Sequence, residues 1–126
     1  MSEARYVPVP QRSREDLIAA LKSEDPTAIH DALISAAYWD EWKWAQDQCL
    51  AFADHPSETV RAASAYGLNL IAVFHAKLDL DIVLPVLEKL RQDPAVASYA
   101  EEALEDINHF FVTLKGMHTA DRLPPA

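Results

Sequence analysis

The sequence predicts an all-α fold, a short right-handed α-solenoid of about three stacked helical pairs, and three observations carry that prediction. Only two glycines, Gly67 and Gly116, occur in 126 residues. Apolar residues recur at spacings of three and four from end to end, whereas few runs alternate with the period of two that a half-buried strand needs. An Asp with a nearby proline stands before three of the helical segments, where it turns the chain back after its partner helix.

The elements follow in order. Residues 1–12, with Pro8 and Pro10, are expected to be a flexible lead, residues 13–116 the repeat domain and residues 117–126 a mobile tail. Ser13 caps "REDLIAALKS", with Glu15 and Asp16 in the first turn where the helix dipole favours negative charge. "DPTAIHDALISAAYW" comes next, with Asp25 as cap and Pro26 first in the helix, where its missing N–H costs nothing. Asp40 is placed to open "EWKWAQDQCLAFA", and the "DHPSET" turn then resets the chain. "TVRAASAYGLNLIAVFHA" runs for about five turns with apolar residues on most sides, so it must be central. "DLDIVLPVLEKLRQ" is capped by Asp79 or Asp81, and Pro85 lies near its start, where a bend is favoured over a break. "PAVASYAEEALEDINHFFVTLK" closes the domain, stopped by Gly116.

Laying the second helix of each pair on the next aligns Ile29, Val60 and Val96, at offsets of 31 and then 36 residues. Ala32, Ala63 and Tyr99 then fall together, as do Ala36, Gly67 and Ala103, and Ala37, Leu68 and Leu104. Small residues in such rows let neighbouring helices approach closely, and the rows are expected to form a buried seam.

"LPVLEKLRQDPAVASYAEEALEDI" resembles a HEAT repeat, as does "CLAFADHPSETVRAASAYGLNLI", which has the family's Val-Arg pair at Val60 and Arg61. The resemblance covers residues 14–115, strongly in the second and third pairs. "EDPTAIHDAL" lacks the arginine, so the first repeat is degenerate, as a terminal cap can be. Helical pairs of this kind recur with unrelated functions, so function must be argued from the site.

Composition excludes several functions. Cys49 is the only cysteine, which rules out an intrachain disulfide or a thiolate metal cluster, and its apolar setting in "CLAFA" makes it a core residue. The five histidines show no i, i+3 or i+4 pairing and there is no HExxH; "IHD" at His30 and Asp31 is the nearest thing to the His-Glu pairs of HEAT-like iron hydroxylases. Metal and cofactor are expected to be absent. No G-x-S-x-G elbow or glycine-rich phosphate loop exists, and no enzyme is expected. "LNLIAVFHAKL" is broken by His75 and Lys77 well short of the roughly 20 apolar residues of a membrane span. "MSEARYVPVPQRSRED" lacks the apolar core of a secretory signal, so the chain is expected to stay in the cytoplasm.

Charge says more about partners. Twenty acidic against 11 basic residues give a net charge of −9. Residues 92–114 contain no Lys or Arg but carry Asp93, Glu101, Glu102, Glu105 and Asp106, which opposes nucleic-acid binding. Such a surface is either a solvated face or a docking field for a basic partner. "AAYWDEWKWAQ" gathers Tyr38, Trp39, Asp40, Glu41 and Trp42, with Trp44 completing the three tryptophans. Its rings either fill the core between repeats or supply interface anchors. The repeat offsets put Tyr38, Asn69 and Glu105 in one row of the concave face and Ser35, Tyr66 and Glu102 in the next. A small, acidic solenoid with an aromatic and carboxylate face reads as a non-catalytic protein-binding module. With the resemblance, this implies an immunity protein that neutralises a basic bacterial toxin domain, such as a nuclease. The alternatives are a general adaptor or scaffold, and, in a different class, a HEAT-like lyase or modifying enzyme.

Overall fold

The computed structural model describes residues 9–113. Six α-helices follow one another: α1 (Arg14–Leu21), α2 (Pro26–Trp39), α3 (Trp42–Ala51), α4 (Glu58–His75), α5 (Leu80–Arg91) and α6 (Ala97–Ile107). α6 continues as a π-helical segment over Asn108–Thr113. No strand occurs among the described residues, so the fold is all-α.

Side-chain caps mark three of the six helix starts. The Ser13 hydroxyl accepts the Asp16 N–H at 3.1 Å, and the Asp25 carboxylate accepts the Thr27 N–H at 3.0 Å with Pro26 opening α2. The start of α3 lies one residue later than expected. Asp40 is drawn into a two-pronged pair with Arg14, at 2.6 and 3.1 Å, so Glu41 caps α3 by accepting the Lys43 and Trp44 N–H groups. Asp79 heads α5, but its carboxylate turns away from its own helix toward α3. Pro94–Val96 form a turn before α6, and the expected stop at Gly116 lies outside the described residues, as does the tail from residue 117.

α4 packs against α2 on one side and α6 on the other, while α1, α3 and α5 pack on α2, α4 and α6 respectively. The seam residues Ile29, Val60, Val96, Ala36, Gly67, Ala103, Ala37 and Leu68 are buried. Leu104 is half-buried. Tyr99 departs from the alignment and is exposed, because an alanine fits at that position in α2 and α4 and a phenol ring does not. The glycine in α4 has a specific cause: a Cβ on Gly67 would stand 2.6 Å from Cys49 Sγ and 3.7 Å from Ala37 Cβ. Burial pushes the Cys49 thiol up to about 12, so it packs as a small apolar group.

Polar clamps join successive pairs. Arg61 donates from Nε to Asp93 and from Nη1 to the His55 and Pro56 carbonyls, each at 2.9 Å, tying the turn before α4 to the turn before α6. In the first pair His30 stands at the matching position and bonds its neighbour Asp31 at 2.9 Å. Fully buried Gln46 of α3 accepts the Asp79 N–H at 2.7 Å and donates to the Asp79 carboxylate at 2.9 Å, and Lys43 Nζ reaches the same carboxylate at 2.7 Å.

Candidate protein-binding face

The sides of α2, α4 and α6 that are not packed on other helices carry most of the exposed large apolar residues: Trp39, Tyr66, Val73, Phe74 and Tyr99. At the α2 end, Tyr38 is half-buried, with its ring centroid 4.6 Å from that of Phe74 and 5.4 Å from that of Trp39. Trp39 is 43% exposed, and its indole N–H donates to the Val9 carbonyl at 2.6 Å. Ser35 lies beneath the same segment, donating to the Pro10 carbonyl at 2.8 Å. Trp42 is half-buried against the core, and so is Trp44, which Arg14 covers with Cζ 3.9 Å from the ring centroid. Asp40 is held below the ordinary carboxylate value by the hydrogen bond from Arg14, partly offset by burial. Hydrogen bonds from Lys43 and Gln46 hold Asp79 low in the same way.

The α4 and α6 end is built differently. Tyr66 and Tyr99, 42% and 46% exposed, line a shallow cleft of about 200 Å³ with Ala62, Ala63 and Glu58. Asn69, expected on the exposed face, is buried; its Nδ2 donates to Asp106 at 3.0 Å, and its Oδ1 is buried with no hydrogen-bond partner. Asp106 is half-buried. Glu102 is exposed, whereas Glu101 and Glu105 line a separate groove between α5 and α6 together with Glu88 and Arg91. Arg91 is taken by Glu88 at 2.7 Å, so among the described residues no Lys or Arg pairs with Glu101, Glu102, Glu105 or Asp106.

The predicted residues thus divide into three groups. Tyr38, Trp39, Asp40, Glu41 and Trp42 gather at the α2–α3 junction, Tyr66, Asn69 and Asp106 lie along the α4–α6 seam with Glu102 exposed on α6, and Glu101 and Glu105 face the terminal groove. Tyr99, Phe74 and Glu58 were missed. Tyr99 could have been found as the bulky member of a row otherwise made of alanines, and Phe74 as an aromatic residue eight positions after Tyr66 on one long helix. The cleft is smaller than the roughly 300–1,000 Å³ of small-molecule sites, and a single long side chain suffices to fill it. No group of His, Cys, Asp and Glu arranged for a metal occurs among the described residues, and no described helix is long and apolar enough to cross a membrane.

No family model and no curated protein matches the chain, so the HEAT resemblance rests on the residues quoted above. Among solved structures, the chain is similar to a chain in the crystal structure of a CDI complex from Cupriavidus taiwanensis LMG 19424. The TM-score is 0.74 and the sequence identity 30%, with 84% of this chain and 96% of that chain covered. The chain belongs to the same family as that protein.

Proposed function

We propose that this member of that family is an immunity protein of a contact-dependent inhibition system, which binds and neutralises a basic toxin domain without catalysis of its own. The observation that carries this reading is the 30% identity to a chain of a CDI complex, over nearly all of that chain. Of the two roles such a complex offers, charge favours the inhibitor. A toxin that cleaves nucleic acid must hold phosphates with Lys and Arg, and this chain has a net charge of −9. Its carboxylates on α6 face solvent without a cationic partner among the described residues, a field that steers a basic protein into contact. The helical pairs form a short right-handed HEAT-like solenoid in this reading, with α2, α4 and α6 as the helices that present the face. The chain acts in the cytoplasm, where it meets the incoming toxin.

The test is to search the genes flanking this one for a protein that ends in a toxin domain, and to co-express that domain with the chain. The expected result is a stoichiometric complex on size exclusion and survival of cells that otherwise die from the toxin. Cell death at the same rate with and without the chain would overturn the reading.

A further inference from the structure

We propose that the cleft between α4 and α6 seats an arginine side chain of the toxin, its guanidinium against the rings of Tyr66 and Tyr99 and directed at the Glu58 carboxylate. This rests on the immunity reading above and adds the chemistry of one contact. Ala62, Ala63 and Ala95 line the cleft beside the two phenol rings, and their short side chains leave room for a flat group against a ring. Among the described residues the close aromatic pairs are Tyr38–Trp39, Tyr38–Phe74 and Phe52–His55, so the faces of Tyr66 and Tyr99 are not spent on another ring.

Charge selects the occupant. Glu58 lines the cleft with no Lys or Arg paired to it among the described residues, and no Lys or Arg lines the cleft itself. His30, the nearest basic group, is hydrogen-bonded to Asp31. Anionic occupants are thereby disfavoured and a cation favoured. Arginine fits better than lysine because its guanidinium is planar, sheds water at lower cost and stacks on aromatic faces while its edge donates to a carboxylate. The same chain already makes this contact internally, where Arg14 lies over Trp44. Tyrosines on a surface otherwise short of cations are the residue type in which interface energy concentrates.

The experiment is a double-mutant cycle between this chain and the toxin domain identified by the co-expression test. Tyr66→Ala and Tyr99→Ala are each expected to weaken toxin binding about tenfold. Their melting temperatures should fall only slightly, because each tyrosine is close to half exposed. Glu58→Gln should weaken binding by a smaller factor and make it less sensitive to salt. Replacing one toxin arginine by alanine should lose the same factor as Tyr99→Ala, and the two losses should not add. A complex that forms normally while the tyrosine variants couple to an apolar toxin residue, or to none, overturns the arginine assignment and leaves the immunity reading standing. No complex with the unaltered chain overturns both.

Discussion

The two ends of the α2–α4–α6 row hold the same residue types, aromatic rings beside carboxylates, and put them to opposite uses. At the α2 end four polar side chains are consumed internally: Ser35 and Trp39 hold the Pro10 and Val9 carbonyls, Asp40 binds Arg14, and Glu41 caps α3. At the α6 end Glu101, Glu102 and Glu105 meet no cation among the described residues, and Tyr99 stands out from its seam. The cause is where the basic residues fall. α1 and α3 supply Arg14 and Lys43, while residues 92–114 contain no Lys or Arg. On the proposed function one end contributes to stability and the other is left to bind, so substitutions at the two ends should move different measurements.

The largest effect is expected in α4, the wall both ends share. Gly67→Leu forces side-chain bulk onto Cys49 Sγ, 2.6 Å from where the Cβ would sit, and should lower the unfolding free energy by about 3 kcal/mol in urea titrations. Gly67→Ala shares the clash, and placing it on a Cys49→Ala background should convert it to a stabilising change, since a mid-helix glycine costs about 1 kcal/mol relative to alanine. A stabilising Gly67→Leu would mean that the helices separate easily and that the two ends are not built on a common wall. Next in size is Gln46→Leu, which leaves the Asp79 N–H without its acceptor and should cost about 2 kcal/mol. Its affinity for the toxin should not change.

How much of this was legible depended on sequence distance. Ser13, Asp25 and Pro26 act within three residues of themselves, so their capping roles could be read directly, and Val60, Ala63, Gly67 and Leu68 announce a buried face by period alone. The satisfaction of polar groups was hidden. Ser35 finds Pro10 across 25 residues, Trp39 finds Val9 across 30, and Asn69 finds Asp106 across 37, so side chains that looked available to a partner are already engaged. Asp40 is the right residue type for a cap one position early, and the approach of Arg14 from α1 draws it away. Alignment with alanines places Tyr99 in the seam, but a ring has a volume that an alanine position lacks, and Tyr99 is exposed.

A smaller effect, on rate, tests the open end. Glu102→Lys with Glu105→Lys should slow association with the toxin about tenfold at low salt, with the difference closing at high salt and the melting temperature unchanged. Stopped-flow traces at two ionic strengths decide this. Equal association rates for the altered and unaltered chains at low salt would show that these carboxylates are only a solvated face, and the contrast between the ends would rest on the aromatic rings alone.

The smallest effect belongs to Asp40, and it separates the two ends through pH. Its carboxyl titrates below the ordinary value of 3.8 because Arg14 bonds the charged form. A carboxyl whose folded value is depressed adds stability above its unfolded value, and that contribution is lost as the pH falls through the folded value. Asp40→Asn should therefore be slightly less stable than the unaltered chain at neutral pH, and the two denaturation midpoints should begin to approach one another as the pH drops below 3.8 and meet only below the lower folded value. The effect stays small because the Arg14 side chain is 45% exposed and water screens the pair. Toxin binding at neutral pH should be the same for both chains, since the carboxylate is occupied within its own fold. A marked loss of toxin affinity in Asp40→Asn, with the denaturation midpoint unmoved, would place the α2 end in the interface and erase the division of labour between the two ends.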